Sequence, residues 1–213
     1  KVGVSKAYSV VDYGLLEACV RDELNENAPR AMAVLDPIKV VIDNYPEGQT
    51  EEIEVEIHPN KPEMGKRTVT FGKEIYVERT DFMAEPVKKY FRLFPGNEVR
   101  LKGAYFITCQ SYETDENGNV TVLHCTYDPE TKGGNAPDGR KVKGTIHWAG
   151  PKAFKAEVRL YDRLFNVEDP AGVPDDEFVN AINPNSLIVL KDCLIEEGIK
   201  DAKNPDAFQF MRN

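Results

Sequence analysis

The sequence predicts a mainly β fold, built as β-barrels or sandwiches behind a short helical segment. Three observations lead to this prediction. Apolar residues at helical spacing occur convincingly only near the amino terminus, short strand-like runs fill most of the remaining chain, and turn residues separate those runs. This pattern is atypical of a parallel α/β sheet. The 213 residues suffice for one large or two small domains.

The first element is a helix that Ser9 can cap and that Pro29 should end. Its apolar positions recur every three or four residues, at Leu15, Leu16, Cys19, Val20 and Leu24. This spacing predicts a helix.

Strand-like runs take over after the helix. They are predicted at Ala31–Leu35, Ile38–Ile42, Glu52–His58, Arg67–Phe71, Glu74–Glu78, Tyr90–Phe94, Glu98–Tyr112, Val120–Tyr127, Lys141–Trp148 and Lys155–Tyr161. In the third run, Ile53 and Val55 alternate with glutamates, which indicates one buried and one wetted face. Asp115–Gly118 should form a hairpin turn, because Asn-Gly readily supplies positive φ.

The last part of the chain is predicted as a loop and three short elements. Gly133–Gly139 should be a mobile surface loop, Pro174–Ile182 a short helix, Leu187–Leu190 a buried strand and Ala207–Phe210 a final strand. Pro86 and the 162–166 region are candidate crossing points between two barrels.

Charge and cysteine content exclude several functions. A net charge of -9 argues against a general nucleic-acid or DNA binder, but residues 86–102 hold five cations against Glu98 alone, which permits a local anion-binding face. The four cysteines lack C-x-x-C spacing and the three histidines are scattered, so we expect free thiols in a cytoplasmic protein and no metal site. No apolar run is long enough for a membrane helix.

Catalytic signals are weak. The phosphate-binding glycine loops and the G-x-S-x-G motif are missing, so no catalytic residue is predicted. The Asp175-Asp176 pair is interpreted as solvated acids that favour a helix N-terminus.

Several cations have two interpretations. Arg92 and Arg100 alternate with Tyr90, Phe91 and Phe94, which suits single-stranded RNA but also an ordinary hairpin. Arg30 can bind a ligand or the carbonyls at the helix end. Likewise, Arg140, Lys141 and Lys143 can contact phosphate or protect a strand edge, and Gln209 and Arg212 can lie on the wet face of a strand.

Co-linear motifs over nearly the whole chain closely resemble one family, the glutaminyl-tRNA synthetases, in their C-terminal anticodon-binding region. The motifs are Leu24–Val34 (L-N-E-N-A-P-R-A-M-A-V), His58–Gly65 (H-P-N-K-P-E-M-G), Asp138–Gly144 (D-G-R-K-V-K-G), Ile146–Trp148 (I-H-W), Val158–Phe165 (V-R-L-Y-D-R-L-F) and Phe208–Phe210 (F-Q-F). Gln209 and the A-P-R-A-M-A-V wording favour this family over archaeal or eukaryotic-type glutamyl-tRNA synthetases. A protein-interaction β-domain that binds no RNA is a further alternative.

The resemblance implies two β-barrels of the kind found in a 5S-rRNA-binding ribosomal protein. On this basis residues 1–30 form a helical connector, 31–86 with 164–213 a proximal barrel that is incomplete at its C-terminus, and 87–163 a distal barrel. The expected partners are tRNA-Gln and an upstream catalytic domain of the same polypeptide. We expect no cofactor in this chain, whereas the full-length ligase uses ATP and Mg²⁺.

The resemblance also implies roles for individual residues. Arg30, Gln209 and Arg212 match the pocket for the middle anticodon base, U. Arg92 matches the reader of the third base, G, and Arg100 that of the first, C or modified U. Further loop or backbone contacts are expected from Asn25, Asn60, Lys89, Arg140, Lys141 and Lys143. Lys89 and Phe91 stand where bacterial relatives often have Gln and Lys, so contacts around the third base can differ here.

Overall fold

The computed structural model describes residue 6 and residues 11–211, with a single α-helix in that part, α1 (Tyr13–Asn27). Asp12 is its N-cap, and its carboxylate accepts a hydrogen bond from the Gly14 backbone N–H at 2.6 Å. The helix stops before Pro29, as predicted. Ser9, the predicted cap, lies outside the described residues, and the helix begins at Tyr13, immediately after Asp12.

Strands account for most of the regular structure, which confirms the mainly β class. They are β1 (Arg30–Ala31), β2 (Ala33–Val34), β3 (Pro37–Ile42), β4 (Thr50–Glu56), β5 (Lys66–Gly72), β6 (Glu74–Glu78), β7 (Glu98–Leu101), β8 (Phe106–Thr114), β9 (Val120–Asp128), β10 (Thr145–Ile146), β11 (Phe154–Tyr161), β12 (Leu187–Ile195) and β13 (Gln209–Phe210). Short 3-10 helices cover Pro62–Met64, Arg79–Asp81, Pro129–Thr131, Pro170–Gly172, Phe178–Ala181 and Glu197–Ile199. No helix in residues 11–211 is long and apolar enough to cross a membrane.

A six-stranded sheet of order β10-β7-β8-β9-β3-β6 curls into a nearly closed barrel. Its two edges meet where Tyr76 of β6 and Ala149, just after β10, exchange backbone hydrogen bonds of 2.9 Å. This bridge satisfies backbone groups of the two edges at the point where they meet. The interior holds a continuous apolar cluster that includes Phe71, Leu123 and Trp148.

The β4–β5 hairpin packs against this barrel. Ile53 and Val55 are buried while Glu52, Glu54 and Glu56 face solvent, which confirms the predicted alternation. The hairpin contributes Val69 and Phe71 to the same core. Its outer face is therefore acidic, and its inner face completes the packing of the barrel.

The remaining strands form a three-stranded sheet of order β11-β12-β2 and a parallel pair, β1 with β13. Glu196, at the end of β12, is fully buried and pairs with Arg67 of β5, and it also accepts the Met32 backbone N–H at 3.0 Å. Removing one partner of a buried pair is strongly destabilising, so this pair fixes the end of β12 to the β4–β5 hairpin.

The barrel combines strands from both predicted domains. β3 and β6 belong to the predicted proximal barrel, β7, β8 and β9 to the distal one, and β3 pairs directly with β9. Residue 86 is therefore not a break in hydrogen bonding, although the domain boundaries themselves stay a prediction.

The predicted strands before and after Pro95 differ from the observed ones. Tyr90–Phe94 is irregular, and only Leu93 makes an isolated bridge, to Phe82. The predicted strand Glu98–Tyr112 is two strands, because a tight turn at Lys102–Tyr105 reverses the chain and the Leu101 N–H donates to the Tyr105 carbonyl at 2.8 Å. Gly103, with φ +72°, supplies the positive φ of this turn.

Three later predictions are also wrong in part. Lys141–Trp148 contains only the two-residue strand β10, so the basic residues 140–143 lie in irregular chain and not on a hairpin edge. Leu187–Leu190 belongs to β12, but Leu187, Ile188 and Val189 are 41–45% exposed because only β11 pairs with this part of the strand. Pro174–Ile182 contains a single 3-10 turn, Phe178–Ala181.

Candidate nucleic-acid interface

A cleft of about 830 Å³ lies where the helix end, the β1–β13 pair and the barrel meet, and we call it the Arg30 cleft. Its lining residues are Asn25, Arg30, Glu54, Val55, Glu56, Pro59, Lys66, Arg100, Lys102, Gly103, Gly133, Thr145, His147, Gln209, Phe210 and Met211. These residues come from opposite ends of the chain. Four predicted contact residues, Asn25, Arg30, Arg100 and Gln209, share this cleft.

Arg30 is half-buried and its guanidinium closes the end of α1. Nη1 donates to the carbonyls of Leu24 (2.9 Å) and Ala28 (3.0 Å), and Nη2 donates to the carbonyl of Asn25 (2.8 Å). Because the last carbonyls of a helix lack partners within the helix, a guanidinium there is favourable. The same bonds hold the planar group in one orientation at the cleft wall.

Gln209 lies beside Arg30 because β1 and β13 run parallel. Arg30 pairs in register with Gln209, and the Gln209 N–H donates to the Pro29 carbonyl at 2.9 Å. The Met211 N–H continues the ladder to Ala31 at 2.9 Å. An amide and a guanidinium thus stand side by side at the cleft although they are 179 positions apart in sequence. Arg212 lies outside the described residues.

Arg100 reaches the cleft from β7. Its Nε is buried and has no hydrogen-bond partner among the described residues, and its guanidinium carbon lies 5.2 Å from the centroid of the Phe106 ring. Gly134, with φ +87°, lies over the side chain, and a Cβ there would be only 3.0 Å from Arg100 Cδ. The Phe106 ring and Gly134 therefore hold the aliphatic part of the Arg100 side chain in place. The Nε–H group is left without an acceptor in residues 11–211.

The cleft is locally cationic on an acidic chain. Among the described lining residues, four cations, Arg30, Lys66, Arg100 and Lys102, stand against two carboxylates, Glu54 and Glu56. Lys66 is paired with Glu54 at 2.9 Å, whereas Lys102 has an exposed side chain and forms no ion pair within residues 11–211. A low-dielectric wall beside several cations concentrates positive potential and attracts anions.

Lys66 and Lys102 were missed as contact candidates. Lys102 belongs to the basic stretch 86–102, which was the available sequence signal. Lys66 carries no comparable signal, because its place in the cleft depends on β13, far away in the chain.

Arg140, by contrast, is surrounded by carboxylates. Its guanidinium contacts Glu98 (two contacts of 3.0 Å), Asp138 (2.7 Å) and Asp128. These hydrogen bonds, led by Glu98, raise the pKa of Arg140 above its ordinary value. The Arg140 backbone N–H and guanidinium lower the pKa of Asp138, and the guanidinium lowers that of Asp128. We call this group the Arg140 cluster.

Lys141 and Lys143 line a smaller groove of about 280 Å³ with Phe91, Asn97, Glu98, Val142 and Gly144. Arg92 lines neither the cleft nor this groove; its Nη1 lies 3.1 Å from the buried carboxylate of Asp81. Lys89 is exposed with φ +70°, and Asn60 is exposed with its N–H donating to His58 Nδ1 at 3.1 Å.

The arrangement suits recognition of an unstacked nucleotide. Guanidinium and amide groups held on two walls present donors to the acceptor-rich edge of a base, and Lys102 and Lys66 can contact phosphate. A flipped base also fits a cleft of this volume, since sequence-specific RNA recognition targets splayed loop bases.

Comparison with known proteins agrees with this interpretation. Residues 28–128 match a family model described as the anticodon-binding domain of class I tRNA synthetases (E and Q), and residues 145–213 match a second model with the same description. The chain is 52% identical over 213 residues to a glutamine–tRNA ligase of Bradyrhizobium diazoefficiens, 54% to one of Clostridium perfringens and 52% to one of Vibrio vulnificus. All 213 residues align, and they span 38% of the length of each relative.

Proposed function

The chain belongs to the class I tRNA synthetases (E and Q), as their anticodon-binding region, and from this premise we propose that it recognises the anticodon loop of tRNA-Gln. The curated relatives with these identities are glutamine–tRNA ligases. This supports tRNA-Gln over tRNA-Glu and over a protein partner that involves no RNA.

The observation that carries the proposal is the shared cleft. Arg30 and Gln209 meet there through the β1–β13 pairing, and Arg100 adds a buried donor without a partner. A uracil presents acceptors that an amide and a guanidinium can satisfy together, and each good bidentate pair discriminates by about 1–3 kcal/mol.

We assign the bases as the family resemblance implies. Arg30 and Gln209, with Arg212, hold the middle base, U, and Arg100 holds the first. Arg92 holds the third base, G, and for this its ion pair with Asp81 has to be shared or exchanged. Asn25 and Asn60 contact the loop 3′ of the anticodon, and Lys89, Lys141 and Lys143 are further loop or backbone contacts. We assign no direct contact to Arg140, because its guanidinium is already bound by Glu98, Asp128 and Asp138.

The reaction itself belongs to the longer protein. In this proposal an upstream catalytic domain, with ATP and Mg²⁺, joins glutamine to the tRNA in the cytoplasm, and the present chain supplies anticodon identity. Tight reading of a few bases by an otherwise acidic surface limits nonspecific RNA binding, because general affinity comes from phosphate contacts.

Binding of the 213-residue chain to tRNA-Gln and to three transcripts with one altered anticodon base each tests the proposal. We expect the native anticodon to bind best. Equal affinity for all four transcripts would overturn it.

Gln209→Ala tests the assignment of the middle base. The variant keeps the backbone ladder of β13, so it should fold normally. We expect it to bind native tRNA-Gln about 5- to 150-fold more weakly, as for a loss of 1–3 kcal/mol, and to lose discrimination at the middle base only. Arg30→Lys, which keeps the charge but not the planar fork, should give the same selective loss. Undiminished discrimination at the middle base in both variants would contradict the assignment.

A further inference from the structure

The Phe91 groove, defined by Phe91, Asn97, Glu98, Lys141, Val142, Lys143 and Gly144, has the features of a second nucleotide site. Phe91 is 45% exposed, whereas Leu93 two residues later is fully buried. The Lys143 ammonium lies 4.9 Å from the centroid of the Phe91 ring. An aromatic ring held at the surface beside a cation contributes little to the core and offers a face for stacking.

The groove is built by a close backbone approach. A Cβ on Gly144 would lie 1.9 Å from the Phe91 carbonyl oxygen, so only glycine lets these two segments touch. The Gly144 carbonyl accepts the Arg100 N–H at 2.9 Å, which attaches the groove to β7. The groove is therefore fixed to the same strand that supplies Arg100 to the Arg30 cleft.

The two sites are neighbours along β7. Glu98 lines the groove and Arg100 lines the cleft, and residues two apart on a strand share a face at a spacing of about 7 Å. Thr145 of the cleft directly follows Gly144 of the groove. One extended strand of nucleic acid can therefore occupy both sites with consecutive nucleotides.

The charges of the groove favour a phosphate. Neither Lys141 nor Lys143 forms an ion pair within residues 11–211, while the carboxylate of Glu98 is already bound by Arg140 at 3.0 Å. Two available ammonium groups beside an exposed ring match a nucleotide, which combines a planar base with an anion.

We propose that the Phe91 groove binds an unpaired loop nucleotide next to the one in the Arg30 cleft, with its base stacked on Phe91 and its phosphate at Lys141 and Lys143. The proposal rests on the proposed function and adds to it a stacking site. Stacking is tolerant of base identity, so this nucleotide contributes affinity more than sequence discrimination.

The test uses an RNA hairpin that carries the anticodon loop of tRNA-Gln, with each loop position made abasic in turn. Phe91→Leu keeps an apolar side chain but removes the ring face, and we expect it to bind the intact hairpin about 5- to 150-fold more weakly, the equivalent of 1–3 kcal/mol for one stacked base. Phe91→Trp should bind at least as well as the native chain. Tyr161→Leu, at an exposed aromatic outside both sites, is the matched control and should change nothing.

The Phe91→Leu variant is then tested against each of the abasic hairpins. At one loop position, removal of the base should weaken binding to the native chain but cost nothing further in Phe91→Leu, because the partner of the ring is already gone. Additive losses at every position would overturn the stacking site. If Phe91→Leu behaves like the native chain while Gln209→Ala loses middle-base discrimination, this inference fails and the proposed function stands; if no tRNA is discriminated, the proposed function itself fails.

Discussion

Arg100 and Arg140 both place a guanidinium over the ring of Phe106, at 5.2 and 5.3 Å from its centroid, yet their surroundings differ. Arg140 contacts three carboxylates, whereas the buried Nε of Arg100 has no partner in residues 11–211. The two arginines therefore differ in role. Arg140 is held in a structural group of ion pairs, whereas Arg100 is available for a ligand. On a chain of net charge -9, the neighbouring carboxylates decide which cations remain available to an anionic ligand.

The difference has an energetic reason. A buried donor without a partner costs about 1–3 kcal/mol, and an arriving acceptor recovers that cost. Arg140 has nothing to recover, because a phosphate would first have to displace Glu98, Asp128 or Asp138. Binding strength should therefore depend on Arg100 much more than on Arg140.

The largest expected effect comes from the paired variants Arg100→Ala and Arg140→Ala. Arg100→Ala should weaken binding to tRNA-Gln about 5- to 150-fold, the equivalent of 1–3 kcal/mol, whereas Arg140→Ala should have little direct effect at a temperature where it is folded. Fluorescence anisotropy with labelled tRNA-Gln measures both. Lys155→Ala, in an exposed pair with Asp192 away from both sites, is the control. If Arg140→Ala weakens binding as much as Arg100→Ala does, the distinction between an available Arg100 and a structural Arg140 is wrong.

For protein stability we expect the reverse order: Arg140→Ala should have the larger effect and Arg100→Ala the smaller, and both effects should be smaller than that of Arg100→Ala on binding. Arg140→Ala leaves three carboxylates close together and should lower the melting temperature by a few degrees at most, because exposed ion pairs contribute little. Arg100→Ala should leave the melting temperature nearly unchanged or raise it, since it removes a buried donor without a partner.

The pH dependence of unfolding identifies the cause of the stability loss expected in Arg140→Ala. Arg140 depresses the pKa values of Asp128 and Asp138 in the folded chain, so their contribution is present above the unfolded Asp pKa of about 3.9 and is lost as pH falls through the depressed values. The difference in urea-unfolding midpoint between the native chain and Arg140→Ala should thus be full near pH 7, shrink below the unfolded Asp pKa of about 3.9, and vanish only below the depressed pKa values of Asp128 and Asp138. A difference that persists there would assign the effect to packing on Phe106.

The sequence was most informative where local chemistry decides the structure. Pro29 ends α1, Ile53 and Val55 alternate with glutamates on β4, and Asn117-Gly118 makes the turn between β8 and β9. Each of these features depends on a few adjacent residues. The turn at Lys102–Tyr105 escaped detection because apolar residues continue through it and only Gly103 marks it.

The site was less accessible to pattern analysis, because long-range pairing builds it. Arg30 alone is adequately explained by helix capping, and its neighbour Gln209 came from family resemblance and not from periodicity. The three carboxylates around Arg140 lie 2 to 42 positions away and become a cluster only when β7 and β9 join the barrel. Charge can be counted in a sequence, but the pairing of charges is a property of the fold.

The smallest expected effect concerns Lys141, which separates phosphate contact from base recognition. Its ammonium has no carboxylate partner in residues 11–211, unlike that of Lys155, so it can release counterions when RNA binds. Lys141→Ala should weaken binding to all tRNA transcripts alike and reduce the steepness of log K against log salt by about 0.7, as for one single-strand phosphate contact. Titrations at four salt concentrations measure the slope, with Lys155→Ala as the matched control. An unchanged slope would place Lys141 outside the RNA path, and a loss confined to one anticodon variant would make it a base contact. Either result would remove Lys141 from the phosphate contacts of the Phe91 groove and leave Lys143 as the remaining cation there.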